Sequence, residues 1–160
     1  MSKEEVLFIF FDKPPDVRIR VINDSDTKET KQAKIKYPFE LHNTITVTVI
    51  TSFRTFSFNI YNGYTWNGAD IPKFFYRVIG SRTSNQFLIA SMLHDYMLEF
   101  KAYMMNEVLL NQTTKSEYRR LTSLIFREKI KAQGTNTIKA NIMSWCVDVF
   151  QMFNKRGWEL

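Results

Sequence analysis

The sequence is poor in the residues that build disulfide scaffolds, zinc sites and phosphate-binding loops. Its 160 residues include one cysteine, two histidines and five glycines. The single cysteine, Cys146, excludes an intrachain disulfide framework and a cysteine-rich zinc site. Because it falls in an apolar helical pattern, we predict that it is a buried, small hydrophobic residue. The sequence also contains no glycine-rich phosphate loop and no GxSxG nucleophile elbow.

Long apolar runs are missing as well. The run at the start, residues 6–11, follows two glutamates and ends before Pro14 and Pro15, whereas a signal peptide has a basic lead and a longer apolar core. No stretch approaches the roughly 20 apolar residues that cross a bilayer. We therefore expect a soluble protein that is made in a cytoplasm and does not insert into membranes.

Aromatic residues and positive charge are present in excess. Aromatic residues make up 15% of the chain, which indicates either a dense core or exposed contact surfaces. The net charge of +6 permits an acidic partner of any kind and selects none. The late arginines at 119, 120 and 127 are spread around their helix rather than gathered on one side, so nucleic acid is not the expected partner.

The first third of the chain has the patterns of β-strands. Apolar or alternating runs predict strands over 6–11, 17–22, 44–50 and 53–61, the last two forming a hairpin. Residues 23–36 offer almost nothing to bury and predict a mobile, charged loop.

From Asp70 onward the pattern is helical. Pro72 and Gly80 bound a first short helix, and Thr83 or Ser84 caps a second one. A third is capped by Thr114 or Ser116 and ends at Gly134. The last, which ends at Gly157, has a stripe of apolar residues spaced by threes and fours: Ile138, Ile142, Trp145, Val149 and Phe153.

This order of elements predicts an α+β fold in a single domain, 1–160. Residues 1–62 are mainly strands and residues 70–156 mainly helices. Segregated strands and helices are typical of an antiparallel sheet packed against a layer of helices, here three to four of them.

The stretch GYTWNGADIPKFFYRVIG, residues 63–80, is the first candidate site. Asn67 and Gly68 tolerate positive φ and mark a turn, and Asp70 is placed to cap the helix that Pro72 begins. This structural interpretation is sufficient by itself. In the functional alternative, Asp70 and Asn67 are oxygen ligands or acid/base groups that face a cleft.

His94 and Asp95 form the second candidate site. Neighbours on a helix point about 100° apart, so the pair alone is a weak motif, and a hydrogen-bonded structural histidine is the simpler interpretation. The alternative is a metal site, because one histidine with the carboxylates of Asp95 and Glu99 would suit a divalent ion. The candidate catalytic residues are therefore His94, Asp95 and Asp70, and the candidate metal ligands are His94 and Asp95.

The stretches WNGADIP, ASMLHDY and LIFREKI together give a family resemblance over roughly residues 44–153. The sequence resembles domain of unknown function 1353, an uncharacterised family common in bacteriophages and prophages. The family pattern has a loop T/W-D-G-A-S-I-P, a helix A-x-x-x-H-D-x-L/Y and a later helix A-D-x-x-F. The positions that match are Gly68, Ala69, Ile71, Pro72, His94 and Asp95.

This chain departs from the family pattern at three polar positions. Asn67 and Ser123 stand where the pattern has aspartates, and Asp70 stands where it has a serine. Two carboxylates are lost and one is gained nearby, which weakens the case for a catalyst and favours a preserved scaffold.

The resemblance implies a phage-encoded structural or accessory protein of the virion, such as a tail, neck or ring component. Its partners would be other virion proteins in a symmetric oligomer or multi-protein assembly. It would be made in the host cytoplasm, reside in the virion and need no cofactor. The alternative is a metal-assisted hydrolase of the bacterial cell wall or another host polymer that uses Asp70, His94 and Asp95.

Overall fold

A computed structural model of the protein describes residues 3–68 and 85–153. The expected short helix between Pro72 and Gly80, the caps Thr83 and Ser84, and the stop at Gly157 lie outside the described residues. The fold class is confirmed, because antiparallel strands fill the first part of the chain and helices fill the part after residue 85.

The strands form two three-stranded antiparallel sheets. The first sheet has the order β1-β4-β5, and the second has the order β2-β3-β6. The strands are β1 (Val6–Phe11), β2 (Val17–Ile19), β3 (Phe39–Leu41), β4 (Ile45–Thr51), β5 (Thr55–Ile60) and β6 (Thr65–Trp66). The second strand is shorter than the alternation over residues 17–22 predicts.

The hairpin of β4 and β5 is confirmed, and Thr51 closes it. The Oγ1 atom of Thr51 accepts hydrogen bonds from the backbone N–H groups of Phe53 and Arg54, at 3.2 and 3.0 Å. The Thr51 side chain thus stabilises the turn, although the link between the strands has no Asn-Gly sequence. Along β4 the alternation is strict: Ile45, Val47 and Val49 are buried, and the threonines between them face outward.

The prediction of a loop over residues 23–36 is wrong, because Lys28–Lys36 form helix α1. Thr27 caps the helix by accepting from the N–H of Thr30, and Lys34 pairs with Asp26 at 2.7 Å. Arg20 donates to the carbonyl of Tyr37 at the far end. As the sequence predicts, no residue of this helix is buried. Its cap and its ion pairs stabilise it in place of buried apolar side chains.

Helices make up the second part of the fold. They are α2 (Asn85–Glu99), α3 (Lys101–Tyr103), α4 (Lys115–Ala132) and α5 (Thr137–Phe153), with a π-helical segment, Met104–Val108, between α3 and α4. Helix α4 is central among them, since it packs against α2, α5 and strand β1. At the β1 contact, the ammonium group of Lys129 lies 4.4 Å from the centre of the Phe11 ring, and burial lowers the pKa of this lysine.

Both ends of α4 agree with the sequence. Thr114 and Glu117 form a complete capping box, each side chain accepting from the backbone N–H of the other. Gly134, which follows the helix, has a backbone φ of +94°, a conformation that residues other than glycine rarely adopt.

Two apolar clusters form the core. The larger lies between the sheets and the helices and includes Leu41, Ile60, Trp66, Met97 and Leu121. The smaller joins α2, α4 and α5 through residues such as Phe87, Phe126, Ile130 and Met143. Cys146 is buried, as predicted. In the described part of the chain, no helix is long and apolar enough to cross a membrane.

Candidate functional site

The start of the motif loop lies against the helix that carries His94. Strand β6 pairs with β3, which buries Trp66 and brings Tyr64 to α2. There the rings of Tyr64 and Tyr96 meet edge to face, with their centres 5.2 Å apart and their planes at 82°. Tyr64 stands three residues before Asn67, and Tyr96 two after His94. The first two family motifs therefore lie on contacting elements.

His94 is a nearly buried side chain, 8% exposed. Its Nδ1 atom lies 3.4 Å from Oδ1 of Asp95, a long contact for a hydrogen bond. Its ring meets the edge of Phe126 on α4, with 5.8 Å between the ring centres. This packing between two helices favours the structural interpretation of the histidine.

The third family motif is also near. Phe126, which touches His94, lies one helical turn beyond Ser123, the position where the family pattern has an aspartate. Ser123 is buried, and within the described residues its hydroxyl makes no hydrogen bond. It lines a cleft of about 270 Å³ between α4 and α5, with Arg120, Arg127 and Ser144 among the other lining residues.

Only part of the predicted metal site lies within the described residues. Across residues 3–68 and 85–153, no three side chains of the His, Cys, Asp or Glu types cluster closely enough to hold a metal ion. Gly68 is described and has φ +88°, as the predicted turn requires. Asp70, Ala69, Ile71 and Pro72 lie outside the described residues. The metal and catalytic roles of Asp70, His94 and Asp95 stay predictions.

Two tyrosine hydroxyls near the motifs have raised pKa values. Burial raises the pKa of Tyr64 strongly, and the nearby carboxylates of Asp95 and Glu99 raise it further. Burial also raises the pKa of Tyr96 to about 12, and its hydroxyl donates to the carbonyl of Asn59 at 2.7 Å. Both phenols are therefore protonated at neutral pH and act as hydrogen-bond donors.

Sequence reasoning missed an aromatic cleft at the same contact. This cavity of about 440 Å³ is lined, among the described residues, by Tyr61, Asn62, Gly63, Tyr64, Tyr96, Phe100 and Tyr103. Two signals were available. The stretch YNGY puts two tyrosines around a turn, and Tyr96, Phe100 and Tyr103 follow the four-and-three spacing of one helical face.

The comparisons with known proteins give one match. A family model described as a protein of unknown function, DUF1353, matches residues 42–147, well over half of the chain. No curated protein and no solved structure matches the chain. The matched segment spans both central motifs and the helix that carries Ser123. The chain therefore belongs to the DUF1353 family of proteins of unknown function.

Proposed function

We propose that the protein is an assembly subunit, which pairs with a second copy of itself and then with other proteins of a bacteriophage particle. The observation that carries this proposal is an apolar stripe on the outer face of α5. Ile138 is 75% exposed and Trp145 is 62% exposed, and Ile142 lies between them on the same face. We call these residues, with the half-buried Val149, the α5 stripe. Contiguous exposed apolar side chains of this size mark interaction surfaces.

The spacing within the α5 stripe favours a helix as its partner. Steps of four, three and four residues separate its members, which is the heptad spacing of a helix-pairing seam. The inner face of α5 is occupied separately by Ala140, Met143 and Val147, which pack in the smaller core cluster. The stripe is thus a second apolar face, and none of its members belongs to the two core clusters of the described residues.

A second copy of α5 fits the stripe when the two helices run antiparallel. The midpoint of the stripe lies between Met143 and Ser144, and its members are placed evenly about it. An antiparallel partner related by a two-fold axis would set Ile138 opposite Val149, and Ile142 opposite Trp145. Large and smaller residues then alternate along the seam, which is the complementarity that a two-fold interface requires.

The β1 edge of the first sheet offers a surface for a different partner. Phe8 and Phe10 are both more than half exposed, and their rings stack with centres 5.8 Å apart. In the described part of the chain, β1 pairs with β4 alone, so its other edge is available to another chain. One subunit would therefore carry two separate contacts, as the subunits of rings and tubes do.

A phage particle is the proposed location of the assembly. The family resemblance, the loss of two motif carboxylates at Asn67 and Ser123, and the two apolar surfaces all support a structural component of a tail, neck or ring. The proposed route is synthesis in the host cytoplasm followed by incorporation into the virion.

Incorporation into particles tests this function. A tagged wild-type protein is expressed during infection, and purified particles are examined by mass spectrometry. We expect wild type and Ile35→Glu, a matched change on α1 at a site 66% exposed, in the particles, and Ile138→Glu to be lost from them. Absence of the wild-type protein from particles would contradict the proposal.

A metal-assisted hydrolase is the second candidate function. It is favoured by the contact between the elements that carry the two motifs and by the Nδ1–Oδ1 approach of His94 and Asp95. Cell-wall hydrolysis would be measured with added Mg²⁺, Mn²⁺ or Zn²⁺. This candidate predicts metal-dependent turnover that Asp95→Asn abolishes and Glu40→Gln retains. No turnover with any of the three ions would eliminate it.

A further inference from the structure

The aromatic cleft between the Tyr61–Tyr64 turn and α2 has walls in several directions. Tyr64 and Tyr96 stand nearly perpendicular, and the ring of Phe100 is tilted by 38° against that of Tyr96, at 4.6 Å between centres. Tyr61 and Tyr103, both well exposed, line the same cavity. Five aromatic rings therefore line a corner rather than a flat platform.

The charged groups that influence the tyrosines of the cleft are carboxylates. Asp95 and Glu99 raise the pKa of Tyr64, and Glu99 also contributes to the raised pKa of Tyr96. No Lys, Arg or His occurs among the described residues that line the cavity. This is notable in a chain with a net charge of +6. An anionic ligand would meet repulsion here, and a cationic one would not.

Aromatic rings supply most of the binding surface of the cleft. The Tyr96 hydroxyl already donates to the Asn59 carbonyl at 2.7 Å. A ligand that needs many hydrogen bonds, such as a sugar, would therefore compete with this bond. A flat sugar face would also want parallel rings, whereas these rings stand at steep angles.

We propose that this cleft binds an organic cation of the choline type, with its trimethylammonium group among the rings of Tyr61, Tyr64, Tyr96, Phe100 and Tyr103. A methylated ammonium group is attracted to the electron-rich faces of aromatic rings and needs no hydrogen bond. Its charge would be complemented by the carboxylates of Asp95 and Glu99, which influence the neighbouring Tyr64 hydroxyl. The cavity of about 440 Å³ lies within the usual size range of small-molecule sites.

The test compares choline with its neutral tert-butyl isostere, in which carbon replaces the charged nitrogen at the same shape. Binding is measured by calorimetry or ligand-observed NMR on the full chain. We expect choline to bind saturably and at least about tenfold more tightly than the isostere, since only the charged ligand is attracted to the electron-rich faces of the rings. Equal binding of the two would show a merely apolar pocket and overturn the proposal. So would a failure of choline to bind, or binding of N-acetylglucosamine in its place.

Substitutions place the binding at the cleft. Tyr103→Leu and Tyr61→Leu remove a ring and keep apolar bulk, and each should weaken choline binding several-fold or more. Tyr103→Phe keeps the ring and should bind as wild type does. Phe53→Leu, a matched change at an exposed aromatic residue that does not line this cavity, should have no effect. Unchanged binding in both leucine variants would overturn the assignment.

A final binding experiment distinguishes a small choline-type ligand from a methylated protein. A peptide with trimethyl-lysine carries the same head group as choline on a protein chain. Binding of choline at least as tightly as of the peptide supports the choline-type ligand proposed here. Tighter binding of the peptide, by tenfold or more, would overturn that source in favour of a modified protein.

Discussion

Helices α4 and α5 are neighbours with similarly spaced apolar stripes, but one stripe is buried and the other is largely exposed. The stripe of α4, which includes Tyr118, Leu121 and Ile125, is buried against α2 and β1. The α5 stripe has equally regular spacing, yet it faces outward, and α5 contributes Ala140, Met143 and Val147 to the core instead. A periodic stripe indicates that a helix can pack against an apolar partner. It does not show that the partner belongs to the same chain.

The largest expected contrast comes from the same substitution on the two helices. Ile125→Ala deletes buried methyl groups and leaves a cavity, so we expect a loss of about 2–5 kcal/mol in the free energy of unfolding, measured with urea. Ile138→Ala, at an exposed site, should change it by no more than about 0.5 kcal/mol in dilute protein. Similar losses for the two variants would break the comparison.

A smaller effect is expected at the hydroxyl of Tyr118 on α4. This hydroxyl donates to the carbonyl of Met97 on α2, inside the core. Tyr118→Phe keeps the ring and leaves that carbonyl without its donor, which costs about 1–3 kcal/mol. Tyr37→Phe, outside the core, serves as the control and should be neutral. An unchanged urea midpoint for Tyr118→Phe would contradict the role of this contact.

The caps of the two helices should give comparable effects. Thr114 caps α4 through the capping box, and Asn136 accepts from the N–H of Lys139 at the start of α5. Alanine at either position should cost about 1 kcal/mol in thermal or urea unfolding. A much smaller cost at Asn136 would indicate that α5 is less coupled to the fold than α4 is.

The smallest expected effect is a dependence of the melting temperature on protein concentration, which tests whether the α5 stripe pairs with a second copy. If α5 pairs with a second copy, the wild-type melting temperature should rise by a few degrees between dilute and concentrated protein, because association stabilises the folded state. The variant Ile138→Ala should show a flatter dependence. A wild-type melting temperature independent of concentration would argue against self-pairing.

The sequence predicted the fold class for local reasons. Period-two alternation fixed the β4–β5 hairpin, and the Thr114 cap with Gly134 bounded α4. Helix α1 was missed because its stability comes from ion pairs and caps, and a search for apolar periodicity does not detect them.

The candidate site was predictable in its parts and not in its assembly. The motifs at Asn67 and His94 were found from their residues, but the approach of the segments that carry them depends on the Tyr64–Tyr96 packing, which joins elements far apart in sequence. The aromatic cleft and the outward face of α5 depend on which side of each helix meets the rest of the chain. Spacing alone does not show which side of α5 is buried, since this helix has apolar residues on both of its faces.

The central claim is that the α5 stripe joins two copies of the chain. Sedimentation equilibrium of the purified protein tests it most directly, with Ile138→Glu on α5 and Ile35→Glu on α1 as matched variants. We predict at least a dimer for wild type and for Ile35→Glu, and a monomer for Ile138→Glu. A wild-type protein that stays monomeric at high concentration, or an Ile138→Glu variant that associates as wild type does, would contradict the claim.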